Sequence, residues 1–254
     1  MRIALLATDG GEKFARLDGP LAHGLDGSAG GPWIDLRETG ESWMWAEADL
    51  RCPVRPTKIV CIGRNYAAHA RELGHEVPSE PLIFLKPPSA LLAPAGTVVL
   101  PPESKRVEHE AELVVVMGRR ASRVSRQDAL AHVFGYSGAC DVTARDLQKK
   151  DVQFTRAKGF DTFCPIGPWI ETELDPAAQR VMCRVGGATR QDGSTTDMIF
   201  DVPELVSYVS RMMTLLPGDV ILTGTPEGVG PLVANDEVEV EVSGVGVLRL
   251  RVAT

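Results

Sequence analysis

The stretch Val107-Glu108-His109-Glu110-Ala111-Glu112-Leu113-Val114-Val115-Val116-Met117 fixes what kind of molecule this chain must be. Its apolar second half, with three consecutive valines, reads as a buried strand. In an extended strand alternate residues share a face, so Glu108, Glu110 and Glu112 point one way while His109, Ala111 and Leu113 point the other. Three like charges in a row repel, and burying them without a partner is expensive. Two readings stay open on this spacing: a solvated edge strand with an acidic face, or a strand whose carboxylates hold a cation. All-oxygen ligation would select Mg²⁺, Mn²⁺ or Ca²⁺ over zinc. A further acid, Asp141, stands where Gly138-Ala139-Cys140 reads as the end of a strand, and it favours the cation.

Outward from this stretch, strand-like runs recur at Lys58 to Ile62, Leu82 to Leu85, Thr97 to Leu100, Asp219 to Thr223, Glu237 to Val242 and Val247 to Val252. Helical patterns are fewer: Tyr66 to Leu73 ended by Gly74, Arg126 to Ala131, and Val202 to Met213 with Pro203 in its first turn. Strands without βαβ alternation predict an α+β fold. The first 55 residues hold Trp33, Trp43 and Trp45 and end in Arg51-Cys52-Pro53-Val54-Arg55-Pro56, so we divide the chain into a small N-terminal domain, 1–55, and a larger domain, 56–254.

Composition excludes several classes. The 254 residues carry a net charge of −7, with no basic footprint for nucleic acid. Apolar runs stop near five residues where a membrane span needs roughly 20. The apolar start Met1 to Ala7 meets Thr8-Asp9-Gly10-Gly11-Glu12 at once, too short for a signal-peptide core, which predicts a cytoplasmic protein. Five cysteines, Cys52, Cys61, Cys140, Cys164 and Cys183, form no Cys-x-x-Cys pair and read as small buried hydrophobes. Gly224-Thr225-Pro226-Glu227-Gly228-Val229-Gly230 lacks the helix and the Lys-Ser/Thr of a phosphate loop, and Ser137 lacks the second glycine of a nucleophile elbow.

Two further clusters could carry chemistry. His69 and Glu72, three apart in Gly63-Arg64-Asn65-Tyr66-Ala67-Ala68-His69-Ala70-Arg71-Glu72, would be neighbours on one helix face. A carboxylate beside imidazole fixes its tautomer and raises its basicity, the arrangement of a water-activating base. In isolation an ordinary surface helix pair explains the spacing as well. His23, His75, His109 and His132 lack such a partner nearby in sequence and read as structural or exposed. Lys158, in Ala157-Lys158-Gly159-Phe160-Asp161-Thr162, would by default be a surface lysine.

Taken together, these stretches resemble the fumarylacetoacetate hydrolase superfamily, in its acylpyruvase and oxaloacetate-decarboxylase-like branch. The resemblance runs from about Lys58 to the C-terminus and also rests on Asp141-Val142-Thr143-Ala144-Arg145-Asp146-Leu147-Gln148, Thr195-Thr196-Asp197-Met198-Ile199-Phe200, and Gly218-Asp219 with Thr223-Gly224-Thr225-Pro226. It implies a mixed β-sheet roll, usually in a homodimer, around a divalent metal. By the same resemblance Glu110, Glu112 and Asp141 would be ligands of Mg²⁺ or Mn²⁺ (Ca²⁺ in crystals), and Lys158 the cationic partner of the substrate. His69 with Glu72 would form a water-activating dyad on a mobile lid; Arg145, Gln148 and Thr225 would hold the substrate. Cys140 departs from the asparagine expected before the metal-binding aspartate. The implied activity is enolate-forming C–C cleavage of a small 2-oxo or 2,4-dioxo acid, by hydrolysis or decarboxylation. The alternative is an isomerase of 2-hydroxyhepta-2,4-diene-1,7-dioate or 5-carboxymethyl-2-hydroxymuconate type in aromatic catabolism. A more distant alternative is a non-enzymatic metal- or anion-binding homologue, which would lack a ligand or the dyad.

Overall fold

The computed structural model describes residues 1–26, 36–74 and 76–254; Trp33 and His75 lie outside them. The fold is α+β, dominated by mixed sheet. The strand Ala111–Met117 is central to it. It pairs antiparallel with Val133–Cys140 on one side and with Val220–Leu222 on the other; Val220–Leu222 then runs parallel to Ile59–Gly63, which pairs antiparallel with the edge strand Leu82–Lys86. Every residue of Ala111–Met117 is buried. Leu113, Val115 and Met117 pack into a core with Val181, Cys183, Val240, Val242 and Leu248. Val114 and Val116 face the other way, into a core with Ile59, Cys61, Val220 and Leu222. A strand covered on both faces needs no polar alternation, hence the unbroken apolar run.

The first core lies against a five-stranded sheet in the order Ala188–Ser194, Arg180–Val185, Glu237–Val242, Gly246–Ala253, Thr97–Val99. On its other flank the large sheet continues from Val133–Cys140 through Cys164–Glu171 into the N-terminal meander Arg2–Thr8, Gly11–Asp18, Leu21–Asp26 and Arg37–Met44. Ile3 pairs with Ile170, and Ile3, Leu5, Phe14 and Leu25 join the same core as Val114 and Val116. The sheet therefore runs unbroken across the boundary drawn at residue 55.

Of the helices, α1 spans Ala67–Glu72, α2 Arg145–Lys150, α3 Thr155–Lys158 and α4 Val202–Met212. Asp201 caps α4 by accepting from Glu204 N–H, with Pro203 in its first turn. The helix expected over Arg126 to Ala131 is instead a single 3₁₀ turn, Ala129–His132, in a run too short to pay for α-helix nucleation. Among the cysteines Cys52 is only half-buried; the other four are buried as expected, and all five are free. Among the described residues no helix is long and apolar enough to cross a membrane.

Two buried polar side chains tie distant motifs together. Asn65 donates to the Phe200 and Thr223 carbonyls and accepts from Phe200 N–H, which binds the start of α1 to two other loops. Asp219 accepts from Thr57 N–H and hydroxyl, Lys58 N–H and Leu216 N–H, and clips together the starts of two neighbouring strands.

Candidate active site

All nine residues singled out in the sequence line one cavity of about 570 Å³. Glu110 falls between the strands Val107–His109 and Ala111–Met117. Glu108, Glu110 and Glu112 nonetheless all face the cavity, as alternation requires. Asp141 follows the last residue of Val133–Cys140, and its N–H donates to the Glu110 carbonyl at 2.8 Å. Cys140 is buried in the core, and its carbonyl accepts from Val142 N–H at 3.0 Å within that turn.

Glu110, Glu112 and Asp141 each present an oxygen within 4.8 Å of the others, all buried. The other acid of the row does something else: Glu108 accepts from Arg145 Nε at 2.6 Å and from Arg106 Nε at 2.5 Å. Arg145 also donates to Glu110 and, at 2.5 Å, to Gln148 Oε1. Lys158 is buried, not on the surface, and bridges Glu110 Oε2 at 2.7 Å and Asp141 Oδ2 at 2.6 Å. Lys86, which belongs to none of the motifs singled out in the sequence, donates to Asp141 Oδ1 at 2.5 Å and to the Val142 carbonyl.

The electrostatics are lopsided. Burial by itself opposes the Lys158 ammonium, but Asp141 and Glu110 outweigh it and hold its pKa above the ordinary lysine value. Burial alone would also raise Glu110; Lys158 and Arg145 overcome it and hold the carboxyl far below the usual range. Glu112 has no such partner. Its Oε2 accepts from Gly224 N–H at 2.6 Å, and no ion pair among the described residues reaches it. Burial first, then repulsion from Asp141 and Glu110, pushes its pKa well up. Three clustered carboxylates with one left uncompensated are a donor set that a hard divalent cation fits.

Across the cavity, His69 Nδ1 donates to Glu72 Oε2 at 3.2 Å, the direction dictated by a carboxylate that can only accept. His69 is buried, and Glu72 Oε1 in turn accepts from Gly228 N–H at 3.0 Å. The imidazole is thereby fixed with Nε2 free of this contact. Thr225 is less available than its motif suggests. Its hydroxyl donates to the Ala111 carbonyl at 2.8 Å and accepts from Gln191 Nε2 at 2.7 Å.

Residues 58–253 match the family model described as fumarylacetoacetate (FAA) hydrolase C-terminal. The chain belongs to this family. Among its relatives, oxaloacetate tautomerase FAHD2A of Bos taurus is 45% identical over 216 residues, which cover 80% of this chain and 69% of that one. The crystal structure of 5-carboxymethyl-2-hydroxymuconate delta-isomerase from Mycobacterium smegmatis matches with TM-score 0.91 at 42% identity, covering 100% of this chain and 99% of that chain. Fumarylpyruvate hydrolase from Pseudomonas aeruginosa, in complex with Mn²⁺ and pyruvate, matches with TM-score 0.74 at 34% identity over 80% and 91% of the two chains. The family model starts at Lys58, yet the delta-isomerase match includes the N-terminal meander.

Proposed function

We propose that this chain is a divalent-metal-dependent enzyme that passes small 2-oxo acids and diacids through their enol forms, moving a proton between carbon and oxygen as a tautomerase or isomerase does. What carries the reading is that the Glu72-anchored His69 and the Glu110–Glu112–Asp141 triad line the same cavity. The relatives named tautomerase and delta-isomerase support it.

Glu110, Glu112 and Asp141 would hold Mg²⁺ or Mn²⁺, which would supply positive charge to stabilise an enolate. The chain's own residues do the rest. Glu72 keeps the proton of His69 on Nδ1, so that Nε2 can take a proton from the carbon beside the keto group or return one to it. Lys158 and Arg145 set positive charge against the carboxylate and carbonyl oxygens of the substrate. Burial of the polar groups keeps these interactions strong. In a homodimer, which we also propose, each subunit would carry such a cavity.

A second reading, hydrolysis of a 2,4-dioxo acid, draws support from the fumarylpyruvate hydrolase match. There His69 Nε2 would take its proton from a water directed onto the second carbonyl. Decarboxylation of oxaloacetate would call on the dyad least.

The test is one panel with Mg²⁺ or Mn²⁺: enol–keto interconversion of oxaloacetate, a hydroxymuconate-type diacid, acetylpyruvate and fumarylpyruvate. Proton transfer in the first two should proceed fastest and fall by about 10² to 10⁴ in His69→Ala. Cleavage of the acylpyruvates that outpaces proton transfer, and that alone depends on His69, would put hydrolysis first. No turnover of any of the four with either metal would overturn both.

A further inference from the structure

Gln191 belongs to none of the chemistry described so far. It lies on the Ala188–Ser194 strand at the edge of the five-stranded sheet, fully buried, and does not line the cavity. All of its polar capacity is nevertheless spent on segments that do. Its Oε1 accepts from Ala111 N–H at 2.9 Å and from His109 Nδ1 at 3.1 Å. Its Nε2 donates to Thr225 Oγ1 at 2.7 Å and to the Pro226 carbonyl at 2.8 Å. With a backbone N–H on one side and a carbonyl on the other, the amide can sit in only one orientation.

The loop it grips, residues 224–228, serves both halves of the site. At one end Gly224 N–H holds Glu112, the triad carboxylate with no cationic partner. At the other end Gly228 N–H holds Glu72, the carboxylate that orients His69. The loop also lies tight on the Gln191 strand: a Cβ on Gly228 would stand 2.0 Å from the Arg190 carbonyl oxygen, and one on Gly193 would stand 2.5 Å from Pro226 Cβ. The Gln191 strand thus meets the loop closely at both Pro226 and Gly228.

We propose that Gln191 is a positioning residue that locks the 224–228 loop, so that one piece of backbone sets the metal-binding Glu112 and the base-orienting Glu72 together. This rests on reading the cavity as the reaction site. Gln191 touches neither substrate nor metal; it acts through Thr225, Pro226 and Ala111. Its contribution is to keep the two carboxylates in register, and a leucine or methionine of similar volume could not supply it.

The experiment uses the full chain with Gln191→Met and, acting on the same loop without removing a hydrogen bond, Gly193→Ala. Three quantities are read: exchange of the Gly224 and Gly228 amides without metal, the Mn²⁺ dissociation constant by calorimetry, and kcat against KM for oxaloacetate enol at saturating Mn²⁺. Gln191→Met should speed exchange at both amides. It should weaken Mn²⁺ binding and lower kcat by about 10- to 100-fold each, the usual cost of losing a partner of a metal ligand, with KM changed less. Gly193→Ala should move all three in the same direction by less, and it decides the matter if Gln191→Met does not fold. Unchanged amide exchange overturns the proposal. So does faster exchange with Mn²⁺ affinity and kcat both within about twofold of wild type. If the wild type turns over no 2-oxo acid, the functional reading fails, and exchange with Mn²⁺ affinity still decides whether Gln191 sets the loop.

Discussion

Lys158 sits where two carboxylates need it and where a cation would need room. It bridges Glu110 and Asp141 while Glu112, beside them, goes without. Removing it takes one of two cationic partners from each of Glu110 and Asp141, leaving Arg145 to the first and Lys86 to the second, and breaking a buried pair from one side costs about 3–5 kcal/mol. A bound cation compensates the same acids. Metal-free Lys158→Met should therefore melt well below wild type, Mn²⁺ should restore most of the difference through binding to the folded state, and turnover should stay down by about 10² or more for want of the cationic partner we propose for the substrate. Thermal melts with and without Mn²⁺ check this; loss of Mn²⁺ binding in the variant would show that the lysine shapes the triad instead of balancing it. The sequence made Lys158 legible only through its motif. Lys86 and Gln191 stayed hidden because their partners are far off along the chain: Asp141 is 55 residues from Lys86, and Ala111 and Thr225 are 80 and 34 residues from Gln191. A lone lysine or glutamine carries no periodicity to betray such a contact.

At the scale of elements, α1 has only six residues, too few to be stable alone. It keeps its shape through the buried His69 and Ala70, the bridge from Tyr66 to Met198, and the Glu72–Gly228 hydrogen bond. A helix held by so few contacts belongs to the low-stability end of a fold, where ligand-binding segments are found. We expect amide exchange across Ala67–Glu72 to slow when oxalate and Mg²⁺ are added together, as a lid would; equal rates with and without them would count against one. This helix was legible from its spacing and its glycine stop. Of the strand Val133–Cys140 only the end at Gly138-Ala139-Cys140 was legible, and Cys164–Glu171 was not, because their glycines and prolines look like breakers. The structure gives the reason: a Cβ on Gly135 would stand 2.6 Å from the Glu171 carbonyl oxygen, so the residue that disguises the strand is the one that lets its neighbour approach.

For the whole molecule, the open question is whether the 57 residues before the family-model match can be dispensed with. Composition and proline placement suggested a boundary at residue 55, and sequence alone could not show pairing across it, since strand partners such as Ile3 and Ile170 share no local signal. Ile3, Leu5, Phe14 and Leu25 pack in one core with Val114, Val116, Ile166 and Ile170. At about 1.5–3 kcal/mol for each buried large side chain, losing those four removes of order 10 kcal/mol, as much as the whole stability of a typical domain. It would also bare the Ile170–Glu171 end of Cys164–Glu171, a template for pairing with other chains. Trp169 would lose its edge-on partner Trp45, with ring centroids 6.3 Å apart. A chain beginning at Thr57 should therefore aggregate on gel filtration, melt without a cooperative transition and bind Mn²⁺ poorly, although every residue of the triad and the dyad is still present. A monodisperse, cooperatively melting truncation with wild-type Mn²⁺ affinity would instead make residues 1–55 a separable domain and leave the continuous sheet without an energetic role.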